Sequence, residues 1–378
     1  MSKRLVKALC FLISLLCIIC FSGCNEAEEY FEESATLADI TIEGEYTRDL
    51  AGTTINVFNW GEYIPDGTEG SMDLNAVFTE LTGIKVNYTT YESNESMYSK
   101  IKGGGVSYDI IIPSDYMIER LKKEDMLCKI DTAKLSNYKY IDAKYKNLYF
   151  DPQNSYSVPY CVGMVGLIYN TKVVKERPTS WGVMWDEKYS DTILNFNNPR
   201  DAFAVSQLYL GYDLNSKNLK DWDAAAEKLI QQKKILQSYV MDEIYQKMED
   251  GEAAIAPYYA GDFLLMQENN EDLDFVYPSE GVNIFVDSVC IPKSTQNYEA
   301  AMMYLNFLLE PDIALEVAEY VMYASPHTAV VNNDDYSLKG NEYLYPDEAN
   351  YPKTQYFHDI DPSVRSYYER LWEEVKLS

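Results

Sequence analysis

Residues 59–65, Asn-Trp-Gly-Glu-Tyr-Ile-Pro, set two aromatic rings around one carboxylate directly after the apolar run 54–58. A carboxylate pairs with an ammonium group, and ring faces attract cations while packing on methylenes. The chemistry that suits Trp60, Glu62 and Tyr63 is therefore recognition of a molecule both apolar and positively charged. Four further segments repeat the theme: Ser114-Asp115-Tyr116, residues 195–201 ending in Asn198-Pro199-Arg200-Asp201, Tyr258-Tyr259-Ala260-Gly261-Asp262, and Ile284-Phe285-Val286-Asp287-Ser288. Each joins a ring or hydroxyl to a carboxylate or amide. Any one alone reads equally well as a strand-end turn or cap, and tyrosine, at 34 residues, is too frequent to count singly. Five such segments at equivalent strand ends form a pattern.

The elements that must position them follow from apolar periodicity. Short β-rich runs alternate with helical spacing. Strands are expected at 55–58, 86–91, 109–113, 157–170, 193–196, 253–258 and 283–292. Helices are expected at 74–81, 94–102, 116–123, 202–211, 219–233, 242–249, 298–309, 312–320 and 364–375. Gly83 reads as a helix stop, and the unbroken apolar run 109–113 as a strand covered on both faces. Such alternation predicts an α/β chain with a mostly parallel sheet. The long segments 157–170 and 283–292 read as an outward and a return crossing between two α/β lobes. In that hinge architecture a ligand sits between the lobes, at carboxyl ends of strands, and closure traps it. There is no internal repeat and no low-complexity tract.

The chain begins as a targeting segment. Lys3, Arg4 and Lys7 precede a short apolar stretch, residues 8–22, and Phe21-Ser22-Gly23-Cys24 follows in the manner of a bacterial lipobox. A stretch this short falls below the ~20 residues of a spanning helix, so cleavage, acylation of Cys24 and a lipid anchor outside the cytoplasmic membrane are expected. Residues 25–52 are acidic with a single Arg48 and read as an extended tether. The remaining length suits two domains. The net charge is −28, which argues against nucleic acid as a partner and favours attraction of cations. Cys128, Cys161 and Cys290 are scattered and odd in number, so neither a disulfide framework nor a zinc pattern is expected. Two histidines leave little material for metal or triad chemistry. No cofactor or metal is expected.

Long segments at family spacing carry a resemblance: residues 59–65, 82–101, 108–121, 156–170, 276–292 and 306–326. Over residues 53–378 the chain resembles the bacterial spermidine/putrescine-binding proteins, the substrate-binding lipoproteins of polyamine ABC transporters. The resemblance implies a type II periplasmic-binding-protein fold, two α/β lobes joined by two crossing strands near residues 161–164 and 284–287. Lobe 1 would comprise 53–162 plus 286–331, and lobe 2 would comprise 163–285 plus 332–378. It implies a polyamine ligand, permease subunits as partners, and a monomer held at the membrane by lipid. In the implied pocket, Trp60, Glu62, Tyr63, Ser114, Tyr116, Asp287 and Tyr323 match the family in residue type. Other positions depart from it. Asn198 replaces an Asp, Asp201 replaces a Glu, and Tyr259 and Phe285 replace two Trp. Met241 falls near a family Ser and Phe357 near a late Gln. Asn198 accepts a hydrogen bond without bringing charge, and Asp115 would compensate if it points inward. These departures leave the choice between spermidine and putrescine open.

Two rivals are weighed against this. Paired carboxylates suit a glycosidase, but no nucleophile-elbow, zinc-protease or phosphate-loop motif accompanies them. A binding protein for thiamine, a sugar or an iron complex shares the fold, yet a neutral sugar does not require carboxylates at both ends of a pocket.

Overall fold

The computed structural model describes residues 37–378. The leader, Cys24 and residues 25–36 of the expected tether lie outside the described residues. Strand β1 (Thr54–Trp60) buries its apolar positions and ends at the aromatic turn. Helix α1 (Leu74–Thr82) starts where the Asp73 side chain accepts from the Ala76 N–H, and stops at Gly83, φ 75°. That left-handed cap favours glycine. Strand β2 (Lys85–Tyr91) precedes helix α2 (Asn94–Gly103), which a capping box between Ser93 and Ser96 closes. The run 109–113 is buried as its composition predicts, but only β3 (Ile110–Ile111) is paired. Helix α3 (Asp115–Lys123) follows at once.

Strand β4 (Ser157–Asn170) is buried along all 14 residues. Strand β5 (Ile193–Phe196) feeds helix α4 (Pro199–Leu210), which begins at Pro199 rather than at 202. Asn198 caps it and Pro199 occupies its first turn, where a missing N–H costs nothing. Then come α5 (Leu219–Lys233), β6 (Leu236–Val240), α6 (Ile244–Glu249), β7 (Ile255–Tyr259), α7 (Ala260–Asn269) and β8 (Leu273–Val276). The chain finishes with β9 (Val282–Cys290), α8 (Tyr298–Phe307), α9 (Pro311–Val321), α10 (Thr328–Asn332), β10 (Thr354–Gln355) and α11 (Pro362–Leu377).

The strands run in the order β2-β1-β3-β9-β4-β7-β5-β6, with β8 on β4 and β10 on β9. Toward both ends the pairing is parallel, β1 with β2 and β3, and β5 with β6 and β7. The middle departs from the mostly parallel sheet expected: β4 and β9 are antiparallel to each other and to β7 and β3. The reason is topological, since one strand carries the chain across and the other brings it back. Their register sets Cys161 opposite Asp287 and Gly163 opposite Phe285, so the two expected crossings lie side by side.

Buried apolar residues form two clusters. One gathers Ile55, Phe78, Ile110, Leu305 and Phe307. The other gathers Phe196, Phe203, Trp222, Phe263 and Phe275 and continues onto Phe58, Met97 and Ile118 of β1, α2 and α3. Trp60 and Tyr259 pack against both, so the strand ends singled out above stand where the two cores meet.

The tether expectation fails for residues 41–46. The Glu310 carboxylate, fully buried, accepts from the N–H groups of Glu43 (2.8 Å) and Gly44 (2.9 Å), the Tyr46 hydroxyl (2.6 Å) and Asn137 Nδ2 (2.6 Å). Asp312 accepts from the Thr41 N–H at 2.8 Å. A buried charge needs donors, and the backbone of an acidic segment supplies them whatever its side chains carry.

Candidate functional site

The turn after β1 sorts its three chemical residues to different places. Glu62 takes a left-handed φ of 48°, a conformation that costs a non-glycine residue on the order of 1 kcal/mol. The result is an exposed Glu62, whose Oε2 accepts from the Tyr320 hydroxyl at 2.7 Å. Tyr63 turns inward and is buried. The Trp60 indole is fixed by donating from Nε1 to the Ile112 carbonyl at 2.9 Å.

Tyr63 leads to the first buried carboxylate. Its hydroxyl donates to Asp287 Oδ2 at 2.6 Å and lies 2.8 Å from Cys161 Sγ. Asp287 is 3% exposed, and its Oδ1 has no hydrogen-bond partner among the described residues. Burial pushes its carboxyl up to about 6, against the downward pull of the Tyr63 and Ser114 hydroxyls. Ser114 bridges to Asp287 through the backbone; its Oγ accepts from Asn94 Nδ2 at 3.0 Å.

Asp201, in the first turn of α4, is the second. Its Oδ2 accepts from the Tyr259 hydroxyl at 3.0 Å. Burial raises this carboxyl to about 7, with the Tyr259 bond opposing. The neighbouring Arg200 offers no ion pair: its Nη2 donates to Asn215 Oδ1 at 2.8 Å and its guanidinium lies 4.5 Å from the Phe357 ring centre.

One run of rings joins the two carboxylates. Centroid separations are 6.4 Å for Trp60–Tyr63, 6.0 Å for Tyr63–Tyr323, 6.1 Å for Tyr323–Phe285 and 5.5 Å for Phe285–Tyr259. All lie within the range of favourable aromatic pairs. Phe285 takes its place because Gly163 has no side chain: a Cβ there would stand 2.1 Å from Phe285 Cζ.

Asp262, the carboxylate of the segment 258–262, belongs to the same place, although the pocket implied by the resemblance takes only Tyr259 from that segment. It accepts from the hydroxyls of Tyr245 and Tyr323, and burial raises its carboxyl above the usual range. Asp115 does point inward: it is fully buried, with Oδ2 accepting from the Val286 N–H at 3.3 Å. Burial holds its carboxyl well above normal, and Asp287 adds to this.

Three expected residues have their polar groups occupied by protein partners. The Asn198 side chain accepts from the Arg200 N–H at 2.9 Å as a helix cap. The Tyr116 hydroxyl donates to Glu95 at 3.0 Å. Glu62 stays on the surface. Among the described residues no lysine, arginine or histidine pairs with Asp287, Asp201, Asp262 or Glu62. The arrangement is a set of carboxylates held by phenols, without counter-charge, along an aromatic wall.

The family described as bacterial extracellular solute-binding protein matches residues 107–350. The spermidine/putrescine-binding periplasmic protein of Salmonella typhimurium is 34% identical over 325 residues, covering 85% of this chain and 91% of the relative. The solved spermidine/putrescine substrate-binding protein PotD of Streptococcus pneumoniae is 34% identical, with a TM-score of 0.73 over 86% of this chain and 99% of that one. The Tp0655 lipoprotein of Treponema pallidum is 25% identical, with a TM-score of 0.75 over 86% of this chain and 100% of that one. The architecture is the type II periplasmic-binding-protein fold, with β4 and β9 as the crossing strands.

Proposed function

We propose that this chain, which belongs to the bacterial extracellular solute-binding protein family, binds putrescine or spermidine outside the cytoplasm and delivers it to the permease of an ABC transporter. The observation that carries the reading is the pair Asp287 and Asp201: buried, each held by a tyrosine hydroxyl, neither ion-paired, and joined by one run of rings. A buried carboxylate without counter-charge is costly. An ammonium at each end of a short methylene chain supplies the missing charge, and the rings of Trp60, Tyr63, Tyr323, Phe285 and Tyr259 shelter the methylenes. Asp262 offers a third anion between the two. Glu62, Ser114, Tyr116 and Asn198 border the site.

The lobes divide as 53–162 plus 286–331 and 163–285 plus 332–378, and they close on the cation about β4 and β9. The chain acts as a monomer without catalysis, tethered by lipid at Cys24. The names of the Salmonella and Streptococcus relatives support the ligand class, and the Treponema lipoprotein supports the anchor.

The test is calorimetric titration of the purified protein with putrescine, cadaverine, spermidine and spermine, each alone. Saturable one-to-one binding of at least one is expected; no heat with any of the four would overturn the reading.

A further inference from the structure

We propose that Cys161 is a positioning residue: its thiol orients the Tyr63 hydroxyl toward Asp287 Oδ2 and so leaves Oδ1 as the oxygen that meets a ligand's ammonium. The last clause rests on the polyamine reading; the orientation itself does not.

The strand pairing aims the thiol. Between Pro159 and Cys161 the register of β4 against β9 shifts, so that Cys161, and not Tyr160, stands opposite Asp287. Irregularities of this kind re-aim side chains beside functional sites. Tyr160 and Cys161 hold the same residue, one by its backbone and the other by its hydroxyl. The Tyr160 hydroxyl donates to the Tyr63 carbonyl at 2.6 Å, and Cys161 Sγ meets the Tyr63 hydroxyl at 2.8 Å.

Proton accounting gives the direction. Tyr63 has one hydroxyl proton, and a carboxylate oxygen at 2.6 Å is a much stronger acceptor than a sulfur. That proton goes to Asp287, so the sulfur contact is a thiol S–H donating to the Tyr63 oxygen. Burial, with Asp287 adding to it, keeps Cys161 protonated. A phenol oxygen that accepts one bond donates a stronger one.

Besides Tyr63, the Ser114 hydroxyl is the other side-chain donor that pulls on the Asp287 carboxyl. The titratable groups that face it are Tyr63 from the turn after β1, Tyr91 from β2, Asp115 from α3 and Cys161 from β4. None is a base that would carry positive charge. Oδ1 is unpartnered in a residue 3% exposed, which is the independent sign that this end of the relay is built to receive a donor.

The experiment titrates the Asp287 carboxyl in the ligand-free protein by 13C NMR, assigned with Asp287→Asn, and measures putrescine and spermidine affinity against pH. In Cys161→Ala the midpoint is expected to rise by roughly half a pH unit and affinity near neutral pH to fall about five-fold. Cys161→Ser, which keeps a donor, is expected to restore both. Wild-type midpoints in Cys161→Ala, or a serine variant that behaves like alanine in both measurements, would overturn the proposal. If the wild-type protein binds no polyamine the functional reading fails, while the carboxyl titration still decides the role of the thiol.

Discussion

The Tyr259 hydroxyl donates to Asp201 Oδ2 at 3.0 Å, and this contact ties the end of β7 to the first turn of α4. It is the counterpart of Tyr63 on Asp287. Two buried carboxylates thus receive a phenol each and share no cation.

Removing either charge should cost ligand. Charged hydrogen bonds contribute about 1.5–3 kcal/mol in mutational series. Asp287→Asn and Asp201→Asn are each expected to weaken polyamine binding about tenfold or more by calorimetry. Unaltered affinity in both variants would remove these residues from the site.

Glu62 should matter less. It is exposed and already bonded to Tyr320, where water screens its field. Glu62→Gln is expected to weaken binding by no more than about threefold, and less at higher salt. A loss as large as that of Asp287→Asn would mean that Glu62 turns inward when ligand arrives.

Acid should act oppositely on stability and on binding. Burial raises the carboxyls of Asp287 to about 6 and Asp201 to about 7, from an ordinary 3.8. Each binds its proton more tightly folded than unfolded, so its contribution to stability is full below pH 3.8 and is lost as pH rises through 6 and then 7. A protonated carboxyl offers an ammonium no charge. Thermal melts of the empty protein should therefore fall from about pH 5.5 to about pH 8, while the increment given by saturating putrescine grows. The Asp201→Asn, Asp287→Asn double variant should flatten both trends; a wild-type increment independent of pH would contradict the assignment.

Gly163→Ala should break the aromatic run. Its Cβ would stand 2.1 Å from Phe285 Cζ, and Phe285 is boxed between Tyr259 and Tyr323. Overpacking of this kind costs about 1–3 kcal/mol. Urea unfolding is expected to show at least that loss, and Phe285→Leu in the same chain to recover part of it. A fully stable Gly163→Ala protein would show that the ring has another place to go.

Much of this was legible in the residues. Strong periodicity recovers α5 and the long crossing β4 at their observed bounds. Helix α7 was not legible, because the run 260–269 carries apolar residues on several faces and shows no stripe. Asp262 is visible as the carboxylate of its segment, but its place in the pocket is not, because its partners, Tyr245 and Tyr323, lie 17 and 61 residues away. Glu62 reads as central because it shares a turn with Trp60 and Tyr63, yet a left-handed backbone turns it out. The docking of residues 41–46 escaped a reading that counted side-chain charge, because backbone N–H groups do the binding.

Glu310 fastens that segment at the junction of α8 and α9. With lipid at Cys24, as proposed, the span between anchor and body is then shorter than residues 25–52, because Leu37 and Ile40 also pack on the core that holds Ile313 and Val317. Tension from the membrane would enter the body through the segment that docks on Glu310 and Asp312, beside α9, and not at β1. Helix α9 ends two residues before Tyr323, so the protein would hang by its flank, with the mechanical load borne on the helix that leads to the aromatic wall.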